Sequence, residues 1–199
     1  RSRVWNDHCC KVEYGELLNA ASDPVDRARL LASCSAGSGD WLHAMPLSSV
    51  GLKMDNATVR ISAGFRLGAP VVCLHVCICG GTVTVDSHHD LSCRHGSGRH
   101  SRHNQINDLL CRALVSSGTQ ATREPHDLCT RIGKRPDGVT QRPWRRGRCL
   151  AWDTTCPDTF ALSHVTACSN EAGSAAATAE MKKIQKYSDI IPSVDFVPV

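Results

Sequence analysis

Several features are scarce in this chain of 199 residues, and each scarcity excludes a class of protein. No apolar run approaches the roughly 18 residues that a membrane span requires, so we expect no transmembrane segment. Residues 1–8 lack the apolar stretch of a signal peptide, so we expect an intracellular protein with reduced cysteines. Aromatic residues make up only 5% of the chain, which allows a core of modest size.

Basic residues are clustered. The net charge of +4 is carried by 17 Arg and 6 Lys, and seven of these lie between Arg131 and Arg148 against one acid, Asp137. The Arg guanidinium suits bidentate phosphate contacts, so the cluster favours a polyanionic partner, with a solvated basic loop as the alternative. With a basic connector at 96–103, it gives these candidate nucleic-acid contacts: Arg102, His103, Arg135, Arg142, Arg145 and Arg146. A structural role for His103 is the alternative.

Cysteine and histidine are abundant between Cys73 and Cys93. The total of 12 Cys is even, so a secreted disulfide scaffold is an alternative. Structural zinc takes four Cys or His ligands, which typically arrive as two close pairs in the sequence. Cys77 and Cys79 precede two glycines, and His89 and Cys93 are spaced to share one helix face. The spacing therefore predicts a zinc knuckle. Because Cys-x-Cys is tighter than the usual pair, Cys73 or His75 is an alternative ligand.

Two acids, Asp137 and Asp153, stand out in a predicted β-hairpin. The extended run 135–140 and the apolar run 148–155 are joined by a basic turn. Carboxylates are depleted in strands, and an unpaired buried one costs several kcal/mol. A shared divalent cation such as Mg²⁺ would explain both acids. The alternative is a turn residue and an edge-strand residue paired with an Arg.

The remaining pattern predicts a mixed α/β fold. Asp23-Pro24 marks a helix start, and residues 55–68 favour a helix over a strand. From residue 101 the predicted order is helix, strand, strand, strand, helix, strand, with the last helix at 172–187 and the last strand at 194–199. This order is typical of a mixed sheet flanked by helices.

Residues 38–199 together resemble a known family: the restriction-like endonuclease at the C-terminal end of certain non-LTR retrotransposon proteins. No single motif carries the resemblance, which depends on order and spacing. The matching stretches are Ser38–Pro46, Gly64–Gly68, Cys77-x-Cys79-Gly80, His89–Cys93, Arg102–Asn107, Arg123–Pro125, Lys134–Gly138, Trp152–Thr155 and Lys182–Tyr187.

The resemblance implies a fold and an activity. The fold would be the αβββαβ core of PD-(D/E)xK nucleases, with a helical or linker segment at 1–68, a CCHC zinc knuckle at 69–98 and the nuclease domain at 99–199. The activity would be Mg²⁺-dependent nicking of target DNA to prime reverse transcription. Partners would be DNA and the element RNA, in the nucleus and not at a membrane, within a longer reverse transcriptase polypeptide. An inactive nucleic-acid-binding module is the alternative function.

The resemblance also implies roles for single residues. The zinc ligands would be Cys77, Cys79, His89 and Cys93, and the magnesium ligands Asp137 and Asp153, assisted by Glu124. The family usually places a lysine two residues after the second acid, where this chain has Thr155. Many relatives supply that lysine from the next helix. Lys183 and Lys186 are the candidates, with Lys183 favoured.

Overall fold

The computed structural model describes residues 2–93, 95–125 and 135–199. Arg131 and Lys134 of the basic cluster lie outside these ranges. The chain divides into two compact units, the first formed by residues 1–95 and 158–174 and the second by residues 96–157 and 175–199. The sequence assigned 99–199 to one domain, whereas residues 158–174 group here with the N-terminal unit.

The elements alternate between helices and short strands along the chain. The helices are α1 Ser2–Ala20, α2 Pro24–Cys34, α3 Asn56–Leu67, α4 His88–Ser92, α5 Ser97–Ser116, α6 Val165–Cys168 and α7 Ser174–Lys186, and two 3₁₀ turns occupy Asp40–His43 and Ser48–Val50. The strands are β1 His75–Val76, β2 Thr82–Val83, β3 Ala121–Arg123, β4 Gly138–Thr140, β5 Leu150–Asp153 and β6 Asp195–Pro198. None of the described helices combines the length and apolarity that a membrane crossing needs.

Local capping chemistry fixes two helices of the first unit. Asp23 accepts a hydrogen bond from the Asp26 N–H (3.2 Å), and Pro24 occupies the first helical position of α2. Asp55 accepts from the Thr58 N–H (2.6 Å) at the start of α3. Gly68, in the left-handed region at φ +69°, ends α3. The predicted start of α2 and both predicted ends of α3 are confirmed.

The second unit is built on one mixed sheet in the order β3-β4-β5-β6. β3, β4 and β5 pair antiparallel, and β6 pairs parallel to β5. With α5 before the sheet and α7 before β6, the element order of the unit is helix, strand, strand, strand, helix, strand. The predicted mixed α/β architecture is confirmed.

Apolar side chains behind this sheet form the core of the second unit. Ala151 of β5 packs in one buried cluster with Tyr187, Ile190 and Val194, and the Phe196 ring lies 4.8 Å from the Tyr187 ring. On β4, a Cβ at position 138 would overlap the indole of Trp152, so only glycine fits there. The core therefore holds β4, β5 and the end of α7 in fixed positions.

Candidate metal centre and carboxylate–lysine site

The β1–β2 hairpin and α4 of the first unit assemble the predicted zinc ligands. The Cys77 N–H donates to the Gly81 carbonyl, and the Gly80 N–H donates to the Cys77 carbonyl, each at 2.8 Å. Gly80 has φ +83°, so the tight turn needs a glycine there. These bonds fold the turn so that Cys77 and Cys79 face α4. His89 of α4 and Cys93, which directly follows α4, complete the set.

The four ligand atoms lie at distances that suit one ion. All lie within 4.8 Å of one another; the Sγ atoms of Cys77 and Cys93 are 3.7 Å apart, and Cys79 Sγ is 3.2 Å from His89 Nε2. A tetrahedral Cys₃His zinc site with bonds of about 2.3 Å to sulfur and 2.0 Å to nitrogen has sulfur–sulfur edges of about 3.8 Å and sulfur–nitrogen edges of about 3.5 Å. The cluster is therefore compatible with structural zinc.

The two alternative ligands lie outside this cluster. Cys73 and His75 are exposed, and the His75 Nδ1 atom lies 2.9 Å from the Cys73 carbonyl oxygen. His75 belongs to β1, where its side chain is not among the four that converge. The ligand set is thus the one that the resemblance implies.

Crowding of the thiols affects their protonation. The N–H of Cys79 lowers the pKa of Cys77, but burial and the neighbouring thiols of Cys79 and Cys93 outweigh it, so the pKa of Cys77 is raised. Without a cation, Cys77 therefore holds its proton more tightly than an isolated thiol does. A bound divalent ion reverses this preference, because metal ligation requires thiolates.

In the second unit, strand register places three acids in one row. Gly138 pairs with Arg123 of β3 and with Trp152 of β5. The next opposed positions along the three strands are Glu124, Asp137 and Asp153. The Glu124 N–H donates to the Asp137 carbonyl (2.8 Å). Residues directly opposite on antiparallel strands share a face. The predicted hairpin is observed, and its register, which the sequence did not predict, sets Asp137 opposite Asp153.

Asp153 meets both candidate lysines. Its side chain is only 4% exposed, Lys183 Nζ donates to Asp153 Oδ2, and Lys186 Nζ lies 3.9 Å from the same oxygen. The two lysines are three residues apart on α7 and so share one face of the helix. A buried carboxylate requires such a partner, because its isolated charge would be costly to desolvate.

Tyr187, at the C-terminal end of α7, links the helix to the segment before Asp137. Its hydroxyl donates to the Arg135 carbonyl (2.7 Å) and accepts from Lys186 Nζ (2.8 Å). The ring is fully buried in the core described above. Tyr187 thereby fixes the position of Lys186 and the start of the Asp137 strand together.

Asp137 is held by the next strand and by α5. Its Oδ2 atom accepts from the Thr154 N–H (2.6 Å) and lies 3.0 Å from His103 Nε2. The sequence indicated His103 as a candidate nucleic-acid contact, with a structural role as the alternative. In the structure His103 lies inside α5 and contacts Asp137 instead.

Glu124 does not converge with the other two acids. Its backbone is in the left-handed region at φ +48°, and its exposed carboxylate pairs with Arg135 at 2.6 Å. Across residues 2–93, 95–125 and 135–199, only the Cys₃His cluster brings three or more Cys, His, Asp or Glu side chains into an arrangement suited to an ion. The structure therefore pairs two of the predicted residues, Glu124 and Arg135, with each other.

The basic turn divides into paired and unpaired arginines. Arg148 and Arg145 lie 3.0 and 3.6 Å from the carboxylate of Asp195. Arg142 and Arg146 are exposed and form no ion pair with any described residue. Arg102 is half-buried on α5.

Sequence reasoning missed the polar residues behind the site. The sequence assigned no role to Asn107, yet this polar residue is only 1% exposed. Its Oδ1 accepts from the indole N–H of Trp152 (3.0 Å) and from the Thr154 hydroxyl (2.7 Å). The signal in the sequence was the pair Trp152 and Thr154 flanking Asp153, two buried donors that need an acceptor.

Comparisons with protein families, with curated proteins and with solved structures found no match to this chain. The function must therefore be argued from the chemistry of the two sites. One is a Cys₃His cluster suited to a structural ion. The other is a pair of adjacent carboxylates with two lysines beside one of them.

Proposed function

We propose that this chain is a metal-dependent DNA endonuclease of the restriction-like type, attached to a zinc knuckle and derived from a non-LTR retrotransposon protein. The observation that carries the proposal is the meeting of Lys183 and Lys186 with Asp153, next to Asp137. Two carboxylates and a lysine on adjacent strands and a helix are the residue types that phosphodiester hydrolysis with a bound metal requires.

The fold of the second unit supports the proposal. Its order of helix, three strands, helix and strand is the αβββαβ order of PD-(D/E)xK nucleases, with β6 parallel to β5. Asp137 directly precedes β4, and Asp153 ends β5. Members of this nuclease family usually have a lysine at the position of Thr155. On this proposal α7 supplies the lysine instead, as it does in many members of the family.

The donor set fits a hard cation. Asp137 and Asp153 each use Oδ2 for the hydrogen bonds described above, and the Oδ1 atom of each has no hydrogen-bond partner within the described part of the second unit. Mg²⁺ in phosphate-handling sites is typically held by one or two carboxylates plus phosphate oxygens. When bound, such an ion polarises the scissile phosphate and lowers the pKa of an attacking water.

The protein side chains supply the rest of the mechanism. Lys183 would orient the attacking water and offset the negative charge that develops on the phosphorus centre. Lys186, held by Tyr187, would stay near Asp153 as a second positive charge. Arg142 and Arg146 would bind the DNA backbone, which carries little sequence information. Nuclear location, contact with the element RNA and a longer reverse transcriptase polypeptide belong to the same proposal.

The test is nicking of supercoiled plasmid DNA with Mg²⁺ or Mn²⁺. Wild-type protein should convert plasmid to the open circular form, and Asp137→Asn and Asp153→Asn should each abolish conversion. Glu180→Gln, an exposed acid on α7, is the matched control and should nick normally. Wild-type protein that does not nick, or nicking that survives Asp137→Asn, would overturn the proposal.

One observation favours a second candidate, an inactive nucleic-acid-binding module. Glu124 pairs with Arg135, so no third carboxylate joins Asp137 and Asp153 among the described residues. This candidate predicts salt-dependent DNA binding that is equal with and without Mg²⁺ and no nicking under either condition. The plasmid assay together with a binding isotherm separates the two candidates.

A further inference from the structure

The orientation of the Asn107 side-chain amide is fixed by its neighbours. An indole N–H can only donate, so the Asn107 atom 3.0 Å from Trp152 Nε1 must be the carbonyl oxygen. The Thr154 hydroxyl donates to that same oxygen at 2.7 Å. The amide nitrogen of Asn107 therefore points the other way, toward His103 Nδ1 at 3.4 Å.

This orientation selects one tautomer of His103. The Asn107 NH₂ group is a donor, so His103 Nδ1 must accept, and the ring proton of the neutral imidazole resides on Nε2. Nε2 lies 3.0 Å from Asp137 Oδ2, within reach of an interaction between the protonated nitrogen and the carboxylate. In the other tautomer, the Nδ1–H group would face the NH₂ donor of Asn107. The bare Nε2 would then face the carboxylate of Asp137, which is also an acceptor.

We propose that Asn107 and His103 are positioning residues for the metal-binding carboxylate of Asp137. Asn107 holds His103 as the Nε2–H tautomer, and His103 and the Thr154 N–H together fix Oδ2 of Asp137. Oδ1 would thereby be left available to a cation. The inference rests on the proposed function, and it assigns His103 to orienting a ligand, as second-neighbour hydrogen bonds do in other metal sites.

The assignment excludes two other roles for His103. A histidine whose Nε2 carries the proton and donates to a carboxylate cannot use that nitrogen as a metal ligand. A histidine that contacts phosphate needs a ring nitrogen without a protein partner, whereas both ring nitrogens of His103 have protein partners. On this inference, the buried hydrogen bonds of Asn107 with Trp152 and Thr154 orient His103 so that its Nε2–H faces Asp137.

The first measurement reads the tautomer directly. Two-bond ¹H–¹⁵N correlation spectra of the zinc-loaded protein, recorded where the imidazole is neutral, should show the Nε2–H pattern for His103. Asn107→Asp places an acceptor beside Nδ1 and should convert His103 to the Nδ1–H form. An Nδ1–H pattern in the wild-type protein would overturn the inference. Because Asn107 is buried and its variant could fail to fold, the wild-type spectrum decides this point alone.

The second measurement uses Mn²⁺ binding, followed by electron paramagnetic resonance on zinc-loaded protein. His103→Ala should weaken Mn²⁺ binding by about 10- to 100-fold, as loss of such supporting bonds does elsewhere. His103→Gln keeps a side-chain N–H donor and should recover most of the affinity. The matched control is His100→Ala, an exposed histidine on the same helix, which should bind Mn²⁺ like wild type.

The outcomes separate this inference from the proposed function. Equal Mn²⁺ affinity of wild type and His103→Ala would overturn the positioning role even if the protein nicks DNA. An Nε2–H tautomer with weakened Mn²⁺ binding in His103→Ala would support the role even if no DNA is nicked.

Discussion

The amine of Lys183 on α7 donates a hydrogen bond to the carboxylate of Asp153 at the end of β5, 30 residues earlier in the chain. The family that the sequence resembles usually places this lysine at the position of Thr155. Position 155 is two residues after Asp153, and in an extended segment such residues point to the same side. Lys183 on α7 thus places its amine beside Asp153, where a lysine at position 155 could also place one.

Moving the lysine back to the strand should therefore restore activity. Lys183→Met should lower the nicking rate by about 10²- to 10³-fold, as loss of one charge-stabilising donor typically does. Adding Thr155→Lys to that variant should recover part of the loss, measured as single-turnover plasmid nicking. Lys182→Met, an exposed neighbour on α7, is the control and should be silent. Full activity of Lys183→Met would assign the role to Lys186.

Zinc should bind at one ion per chain through the four knuckle ligands. Cys77→Ser and His89→Ala should abolish stoichiometric zinc in atomic absorption, whereas His89→Cys should retain it because Cys₄ sites also bind zinc. Cys73→Ser, an exposed cysteine outside the cluster, should change nothing. Chelation should expose three more thiols to a thiol reagent. A chain that loses no zinc and gains no thiols on chelation would contradict the site.

Gly138 should not tolerate a side chain. A Cβ at position 138 would overlap the Trp152 ring. That ring cannot move away easily, because Trp152 is only 2% exposed and its Nε1 donates a hydrogen bond to Asn107. Gly138→Ala should lower the free energy of unfolding by about 1–3 kcal/mol in urea titrations. Gly15→Ala, in α1 with open space around it, should stabilise by up to about 1 kcal/mol. Equal stability of Gly138→Ala and wild type would contradict the close packing of β4 on Trp152.

The Asp55 cap should make α3 sensitive to acid. Hydrogen bonds from the N–H and hydroxyl of Thr58 hold the pKa of Asp55 below its usual value. The folded protein therefore binds the proton less readily than the unfolded chain, so this stabilisation is present above pH about 4 and is lost as the pH falls below it. Asp55→Asn caps equally well without titrating, and should flatten the acid limb of a thermal-melting profile. An unchanged acid limb would contradict the assignment.

The basic turn should bind DNA through its unpaired arginines. Arg142→Gln and Arg146→Gln should each reduce the slope of log K against log salt by about 0.9, with little change in sequence preference. Arg148→Gln should mainly affect stability, because Arg148 is paired with Asp195 at 3.0 Å. Fluorescence anisotropy at several salt concentrations measures the slopes. A larger slope change for Arg148→Gln than for Arg142→Gln would reverse the assignment.

The features that the sequence predicted correctly depend on residues close together in the chain. The ends of α3 follow from a capping Asp55 and a left-handed Gly68, both read directly from residue type. The Cys₃His cluster forms between a glycine turn and the end of a five-residue helix, so its side chains converge after only a few backbone choices. The β4–β5 hairpin follows from two extended runs joined by a basic turn. Short-range rules are sufficient for each of these.

The remaining features required the tertiary structure, because they depend on which distant side chains meet. Glu124 pairs with Arg135 because its left-handed backbone directs the carboxylate there, and no local pattern predicts that conformation. His103 contacts Asp137, and Asn107 is buried, because α5 packs beside β5. The sequence determined which residue types are available to the site. Packing of α5 and α7 on the sheet decided which of them contact the two carboxylates, since side-chain direction is set by backbone positions far apart in the chain.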